Sequence, residues 1–182
     1  YHMTKEDDIL SYRDPVTTQI TTVNAGETLH RGIEAAVGVE ITDEWRLDTS
    51  LSYAKHTYED WETAVGSTLV DYSDNEMETA PRVLTSTRLQ YAPGFMNGGE
   101  MQLEWLRVGS YWRDQANTSK YDGHDVLNLR LRYPVNEKLE FYSNVDNLFD
   151  KRYAEVASLS GAEEAYTAGL PRTFFVGARD KF

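Results

Sequence analysis

The stretch "HDVLNLRLRY", residues 124–133, decides the fold that this sequence predicts. The apolar positions are Leu127, Leu129, Leu131 and Tyr133, and the polar positions between them are Asn128, Arg130 and Arg132. Successive side chains of a β-strand point to opposite faces of a sheet. The alternation therefore predicts a strand with one apolar face and one polar face. A soluble sheet with solvent-exposed charges would show the same pattern.

The same two-residue period recurs along almost the whole chain, and no helical period is sustained. It predicts eight strands, at about 1–13, 18–41, 45–57, 82–92, 99–113, 124–133, 138–149 and 171–182. These lengths reach or exceed the roughly 9–11 residues with which a tilted strand crosses a bilayer. They also exceed the roughly 5–6 residues that are usual in soluble sheets. The strand lengths therefore favour a membrane β-barrel.

The predicted connections alternate between short and long. Tight turns are predicted at 42–44, 93–98 and 134–137, and longer loops at about 58–80, 114–123 and 150–170. The remaining connection on the long side, Asp14-Pro15-Val16-Thr17, is short. Outer-membrane barrels have tight periplasmic turns and longer external loops. The alternation therefore predicts an antiparallel up-and-down transmembrane β-barrel.

The composition excludes several classes of function. The chain of 182 residues has no cysteine, so it has neither disulfides nor thiolate metal sites. Its four histidines are scattered without a metal-binding spacing, and its net charge of -12 argues against nucleic acid as a partner. No nucleophile elbow and no glycine-rich phosphate loop is present. We therefore expect no enzymatic activity, no metal site and no cofactor.

The polar faces of the predicted strands carry opposite charges. If the turn after Tyr133 closes a hairpin, Arg130 and Arg132 are predicted to lie across from Glu140 and Tyr142. Such pairs would form a charged network that lines the lumen of a barrel.

The segment "NVDNLFDKRY", residues 144–153, resembles the N-L-F-D-K-x-Y signature of TonB-dependent outer-membrane receptors, where it lies on the penultimate barrel strand. Three further segments resemble that family in the same order. They are "NAG" at 24–26 followed by "GIE" at 32–34, "APR" at 80–82, and "GLPRTFFVG" at 169–177. The matching segments span nearly the whole chain.

This resemblance implies a barrel of about 22 strands with a plugged lumen. Residues 1–182 would be its C-terminal eight strands, with the plug domain and the earlier strands outside this chain. The resemblance also implies a receptor in the outer membrane of a Gram-negative bacterium. Such a receptor takes up a ferric siderophore or a similar metal chelate, with energy from TonB, which binds the N-terminal part of the protein. Further implied partners are the outer-membrane lipids and, through the C-terminal aromatic Phe182, the barrel assembly machinery.

In such a receptor, external loops hold the ligand. Loop 58–80 is the first candidate, with Tyr58, Trp61 and Tyr72 among seven acidic residues. The second candidate is Tyr111, Trp112 and Arg113 together with Tyr121. Aromatic rings suit a large, partly apolar chelate, and an arginine suits an anionic one. The alternative for loop 58–80 is a solvated acidic surface. The alternative for the second set is a girdle of aromatic residues at the rim of the barrel. The "NVDNLFDKRY" signature itself is predicted to be architectural.

Two other functions fit the same pattern. The eight strands could close on themselves as a small outer-membrane barrel with a structural or adhesive role. They could also form a soluble, lipocalin-like binding barrel, whose apolar side chains would point inward. The direction of Leu127, Leu129 and Leu131 distinguishes the membrane barrels, in which leucines face lipid, from the soluble carrier.

Overall fold

The structure is a computed structural model that describes residues 1–13, 19–24, 26–65, 67–160 and 163–180. Within these residues the regular structure is β-strand, apart from one 3-10 turn at Gly94–Met96. No helix in this part of the chain is long and apolar enough to cross a membrane. The short connection predicted at 14–17 and the C-terminal Phe182 lie outside the described residues.

Sixteen strands occur in the described residues. In chain order they are β1 (His2–Glu6), β2 (Ile9–Arg13), β3 (Ile20–Asn24), β4 (Glu27–Glu40), β5 (Trp45–Asp60), β6 (Glu62–Val65), β7 (Thr68–Asp71), β8 (Val83–Tyr91), β9 (Glu100–Val108), β10 (Tyr111–Trp112), β11 (Lys120–Tyr121), β12 (His124–Pro134), β13 (Leu139–Asp146), β14 (Ala154–Ser160), β15 (Glu163–Ala168) and β16 (Thr173–Asp180).

Eight of these strands form one antiparallel sheet, in the order β1-β4-β5-β8-β9-β12-β13-β16. The other eight pair two by two into the hairpins β2-β3, β6-β7, β10-β11 and β14-β15. Each predicted strand contributes one strand to the large sheet. The predicted eight-stranded antiparallel sheet is therefore confirmed.

Three predicted strands, 1–13, 18–41 and 99–113, were wrong in length, because each breaks where the chain leaves the sheet. Asp7 takes a left-handed conformation (φ 52°), and the Asp8 carboxylate accepts a hydrogen bond of 2.8 Å from the Ile9 amide. β9 ends at Val108, and Gly109 follows it. The strict alternation is interrupted at these breaks, for example by Glu6, Asp7 and Asp8, and the predicted strands ran through the interruptions.

The predicted long loops are more ordered than expected. Loop 58–80 contains the hairpin β6-β7, and loop 150–170 contains the hairpin β14-β15. The connections on the opposite side of the sheet are tight, as predicted, at 41–44, 92–99 and 135–138. All the long connections therefore leave from one end of the sheet, which we call the outer end.

The strand register sorts the side chains of the sheet into two faces. One row of cross-strand partners is entirely apolar and consists of Val39, Leu47, Leu89, Leu103, Leu129, Val145 and Phe174. A row of the opposite face consists of Gly38, Asp48, Arg88, Glu104 and Asn128. We call these the apolar face and the polar face.

The apolar face is exposed. Val176 is 80% exposed, and Ile33 is 72% exposed. On the polar face Glu104 is 5% exposed, although Leu84, Phe175 and Arg88 on that face are also exposed. A soluble protein rarely exposes so large an apolar surface. The apolar side chains do not converge on a shared interior within the described ranges, so the lipocalin-like alternative is contradicted.

The sheet is open at both ends. In the part of the chain that the structure describes, β1 pairs with β4 alone, and β16 pairs with β13 alone. The eight strands therefore do not close on themselves. This contradicts the small closed barrel and agrees with a segment of a larger one.

The charges of the polar face form the predicted network. The Glu104 carboxylate accepts hydrogen bonds from Arg88 Nε (2.8 Å), Arg130 Nη1 (2.7 Å) and Asn128 Nδ2 (3.1 Å). Three donors compensate the cost of burying this carboxylate. The predicted partners were right in one case only, because Arg132 lies opposite Tyr142, whereas Arg130 lies opposite Asn144.

A second part of the network lies nearer to the tight turns. Arg132 donates to Glu100 (3.3 Å) and to Glu140 (3.1 Å), and the Arg179 guanidinium lies 3.6 Å from Glu140. These contacts tie β9, β12, β13 and β16 together across the polar face. The polar side chains therefore stabilise the strand order as well as covering the face.

Candidate functional site

The "NVDNLFDKRY" signature fastens the outer end of β13. Asn147 is buried and takes a left-handed conformation (φ 52°), which asparagine tolerates better than most residues. Its Nδ2 donates to the carbonyls of Lys151 (2.8 Å) and Leu170 (2.9 Å), and its Oδ1 accepts from the Lys151 amide (2.9 Å). One side chain thus joins the end of β13 to the start of β16.

The rest of the signature supports the same connection. The Asp150 carboxylate accepts a hydrogen bond of 2.9 Å from the Arg172 amide. The Tyr153 ring lies so close to Gly169 that a Cβ there would be 2.2 Å from the ring, so only glycine fits. The structure gives the signature the architectural role that was predicted for it.

The first predicted ligand loop has a core of its own. Tyr58 and Trp61 are 1% and 2% exposed, and Tyr72 and Met77 pack against them. Trp61 Nε1 donates a hydrogen bond of 3.1 Å to Gln115 Oε1, which joins this loop to the next. Tyr58 and Trp61 are covered by protein here, so their role in ligand binding stays a prediction.

The acidic residues of this loop have internal partners. Glu76 accepts a hydrogen bond of 2.7 Å from Arg82 Nε, and Asp71 accepts one of 2.8 Å from the Ser73 amide. Burial raises the pKa of Glu78, and the nearby Asp114 adds to the rise, while a hydrogen bond from Gln115 opposes it. Across the described ranges, no group of three or more acidic or histidine side chains is arranged to hold a metal ion.

The second predicted set holds two outer hairpins together. The Tyr111 hydroxyl is buried and accepts a hydrogen bond of 2.8 Å from the Ala157 amide. Arg113, also buried, donates to the Tyr166 hydroxyl (2.7 Å) and to the Glu164 carboxylate (2.7 Å). The Arg113 guanidinium lowers the pKa of Glu164. These contacts fasten β14-β15 onto β10-β11.

A cleft of about 570 Å³ opens beside this cluster, at the outer end of the polar face. It is lined by Arg113, Lys120, Tyr121, Asp122, Gly123, His124, Lys151, Arg152, Tyr153, Ala154, Tyr166 and Ala168. His124 continues the row of polar-face positions on β12 that includes Asn128. The cleft therefore faces the same side of the sheet as the charged network.

This cleft contains two of the predicted ligand residues, Arg113 and Tyr121, whereas Trp112 does not line it. Trp112 lies at another cleft, on the side of the apolar face, with Tyr111 and Tyr53. The cleft also contains residues that were not predicted as ligand residues: Lys120, His124, Lys151, Arg152 and Tyr153. Their shared site has no sequence signal, because the two contributing segments meet only in the folded protein.

The lining of this cleft is mainly cationic and aromatic. Four cationic side chains and one carboxylate line it, although the chain as a whole carries a net charge of -12. The rings of Tyr153 and His124 lie with their centroids 4.4 Å apart and offer an aromatic surface beside the cations. Cations with aromatic rings suit an anionic and partly aromatic molecule.

The fold and this cleft place the chain in the class of transmembrane β-barrel proteins, as part of a barrel wall with structured outer loops. A family model described as "TonB dependent receptor-like, beta-barrel" matches residues 1–148. The chain therefore belongs to the TonB-dependent receptors, and the resemblance seen in its sequence is confirmed.

Three relatives are named as receptors for siderophores or pesticin. The chain is 26% identical over 144 residues to the probable TonB-dependent siderophore receptor PiuA of Acinetobacter baumannii, which covers 73% of this chain and 18% of that protein. It is 43% identical over 61 residues to the catecholate siderophore receptor Fiu of Escherichia coli, covering 34% of this chain and 8% of Fiu. It is 24% identical over 184 residues to the pesticin receptor of Yersinia enterocolitica, covering 98% of this chain and 26% of that receptor. The chain thus spans about a quarter or less of these relatives.

Solved structures share the fold over the whole chain. The siderophore receptor PiuA from Acinetobacter baumannii superposes with a TM-score of 0.78 at 23% identity, covering 100% of this chain and 25% of that one. The ferric yersiniabactin uptake receptor FyuA from Yersinia pestis superposes with a TM-score of 0.77 at 19% identity, covering 100% and 26%. At these identities the likeness shows the fold alone.

Proposed function

We propose that the protein containing this chain is an active-transport receptor in the outer membrane of a Gram-negative bacterium. It takes up a ferric siderophore with energy from TonB. The observation that carries this proposal is the family membership over residues 1–148, together with relatives named as siderophore receptors. The exposed apolar face supports it, because that face is stable only against lipid. A transport role also fits the predicted lack of catalysis.

We further propose that the polar-face cleft is part of the ligand site. Lys151 and Arg152 are exposed there, and neither is used in an ion pair within the described residues. Tyr121 supplies an aromatic wall. Arg113 is already paired with Glu164, so its contribution is to position the hairpin β14-β15 at the edge of the cleft.

The proposed site is tested with the double variant Lys151→Gln/Arg152→Gln in the full-length receptor. Loss of two charged contacts is expected to weaken binding of an anionic ferric siderophore about 30-fold. The measurements are the dissociation constant of the purified receptor and the uptake of radioactive iron by iron-starved cells.

Arg46→Gln/Lys138→Gln is the matched control, because it removes two exposed cations near the tight turns, far from the cleft. It is expected to leave the dissociation constant unchanged. Equal binding by both double variants would exclude the cleft as the ligand site. The transport proposal itself fails if no ferric chelate enters wild-type cells in a TonB-dependent way.

A further inference from the structure

A second group of cations lies at the outer end of the apolar face. Arg31 on β4 and Lys55 on β5 are direct cross-strand partners, and they share their face with the neighbouring pair Ile33 and Tyr53. Like charges placed directly opposite each other destabilise an antiparallel pair. In the described part of the chain, neither Arg31 nor Lys55 forms an ion pair with an acidic residue. This pair therefore favours an anion from outside the chain.

Two further cations lie at the outer end of the sheet. Arg82 and Lys120 line a cleft of about 310 Å³ that also contains Tyr53 and Trp112, and Lys120 lines the polar-face cleft as well, so it lies between the two clefts. The Lys120 ammonium lies 5.1 Å from the centre of the Trp112 ring, a cation–π distance. We call Arg31, Lys55, Arg82 and Lys120 the rim cluster.

One acidic residue, Glu76, lies in this cleft and is already paired with Arg82 (2.7 Å). The pKa of Glu76 is lowered mainly by the hydrogen bond from Arg82, and the charge of Lys55 adds to the effect. Lys55 is thus close to the cleft, and its charge acts on Glu76 together with that of Arg82. Arg82 is paired with Glu76, whereas Arg31, Lys55 and Lys120 form no ion pair in the described residues, in a chain whose net charge is -12.

The level of the rim cluster along the strands indicates what it meets. Towards the tight turns the apolar face continues as rows of aliphatic side chains, which suit hydrocarbon. On β4 and β5 these rows end at the pair Ile33 and Tyr53, and Arg31 and Lys55 form the next pair on this face towards the outer end. Tryptophan and tyrosine are enriched at the membrane–water interface, and Tyr53 and Trp112 line the adjoining cleft. The rim cluster therefore lies at the level of the lipid headgroups.

We propose that the rim cluster binds phosphate groups of lipid headgroups in the outer leaflet. Arginine and lysine form strong charge-assisted hydrogen bonds to phosphate, and such an anion would relieve the repulsion between Arg31 and Lys55. The inference depends on the membrane placement proposed above but not on the transported ligand. The contact is made on the apolar face, through Arg31 and Lys55, and not in the lumen.

The test uses the full-length receptor in detergent micelles, titrated with bisphosphorylated lipid A and followed by native mass spectrometry. The variant Arg31→Gln/Lys55→Gln is expected to bind this lipid about 30-fold more weakly than the wild type. Arg46→Gln/Arg179→Gln is the matched control, since it removes two exposed cations from the polar face. The control is expected to bind like the wild type.

A variant with the opposite sign guards against misfolding. Glu76→Gln removes the acidic residue of the rim cleft and is expected to tighten binding severalfold, which a misfolded receptor cannot do. Lipid A without its phosphates is expected to bind wild type and variants equally. The proposal is overturned if Arg31→Gln/Lys55→Gln binds like the wild type, or if the polar-face control loses as much affinity. Displacement of the lipid by millimolar inorganic phosphate would also overturn it, because it would indicate a site for soluble anions.

Discussion

At the scale of the residue, Asn147 shows why a short signature can be architectural. The site needs a left-handed backbone, a donor for two carbonyls and an acceptor for one amide, all within a buried space. Asparagine meets all these needs. Aspartate has no amide donor, and glycine has no side chain. The sequence motif is therefore explained by hydrogen bonding, without any ligand.

We predict that Asn147→Gly loosens the connection between β13 and β16. The backbone amide of Lys151 and the two carbonyls lose their partner, at a cost of about 2 kcal/mol. Trypsin should then cleave after Lys151 or Arg152 about 30-fold faster in the full-length receptor. Asn147→Ala should be cleaved faster still, since alanine also strains the left-handed backbone.

Asn97→Ala is the control for backbone strain alone. Asn97 is exposed, also has a positive φ (51°), and lies in a tight turn at the other end of the sheet. It should leave cleavage at Lys151 and Arg152 unchanged. Cleavage of Asn147→Gly at the wild-type rate would show that the side chain does not hold this connection.

At the scale of the element, the outer loops are folded units with cores of their own. The loop around β6-β7 packs Tyr72 and Met77 against two buried rings, and Gln115 joins it to the next loop. Glu78 is half-buried in this loop, and burial raises its pKa. The charged form of its carboxylate therefore destabilises the folded loop.

We predict that this loop is less stable at higher pH. Because the pKa of Glu78 is higher in the folded loop than in the unfolded chain, the folded loop binds the proton more tightly. Stability is therefore gained as the pH falls through the raised pKa and lost as it rises. Hydrogen exchange of residues 72–82, corrected for intrinsic rates, should be faster at about pH 8 than at about pH 5.

Glu78→Gln should remove most of that pH difference, because glutamine keeps the shape of the side chain and cannot ionise. Glu62→Gln is the matched control, since Glu62 is exposed on the same loop and should keep the wild-type difference. If Glu78→Gln and the wild type respond identically to pH, another group is responsible.

At the scale of the whole molecule, the sheet exposes its apolar face, which a soluble protein would bury. The apolar face is exposed, and the opposite face carries a charged network whose carboxylates Glu104 and Glu140 are buried, so the sheet suits a wall between hydrocarbon and a wet lumen. The edges at β1 and β16 are unpaired in the described residues, and unpaired strand edges invite association. This chain covers 25% and 26% of the two receptors with which it shares its fold.

We predict that a charge on the apolar face is far more costly than one on the polar face. Leu129→Arg, within the apolar row, should lower the unfolding free energy of the full-length receptor in vesicles by about 2–4 kcal/mol. Ser50→Arg is the matched control, because Ser50 is exposed on the polar face and lies opposite Ala36 and Ser86. Urea unfolding measures both, and equal losses would contradict the assignment of the faces.

The sequence predicted the large sheet well, because its signal is local. Alternation along each strand fixes the faces, and the short turns fix the antiparallel order, as the pairing of β12 with β13 shows. The ligand-binding role of Trp61, which was predicted from the aromatic rings of its loop, stays a prediction. Its burial against Tyr58 depends on the packing of the loop and could not be predicted from the sequence. Lys151 belongs to the motif that was predicted to be architectural, and no local pattern indicates that it lines the polar-face cleft.

The sequence by itself thus determined the fold class, the strand count of the sheet, the two faces and the family. These properties follow from the two-residue period and from short motifs, each of which is contained in one segment. Only the tertiary structure decided which outer side chains are covered, which cations share the cleft, and that Arg31 and Lys55 face each other on the apolar side. Those properties depend on contacts between segments far apart in the chain, and no local pattern encodes them.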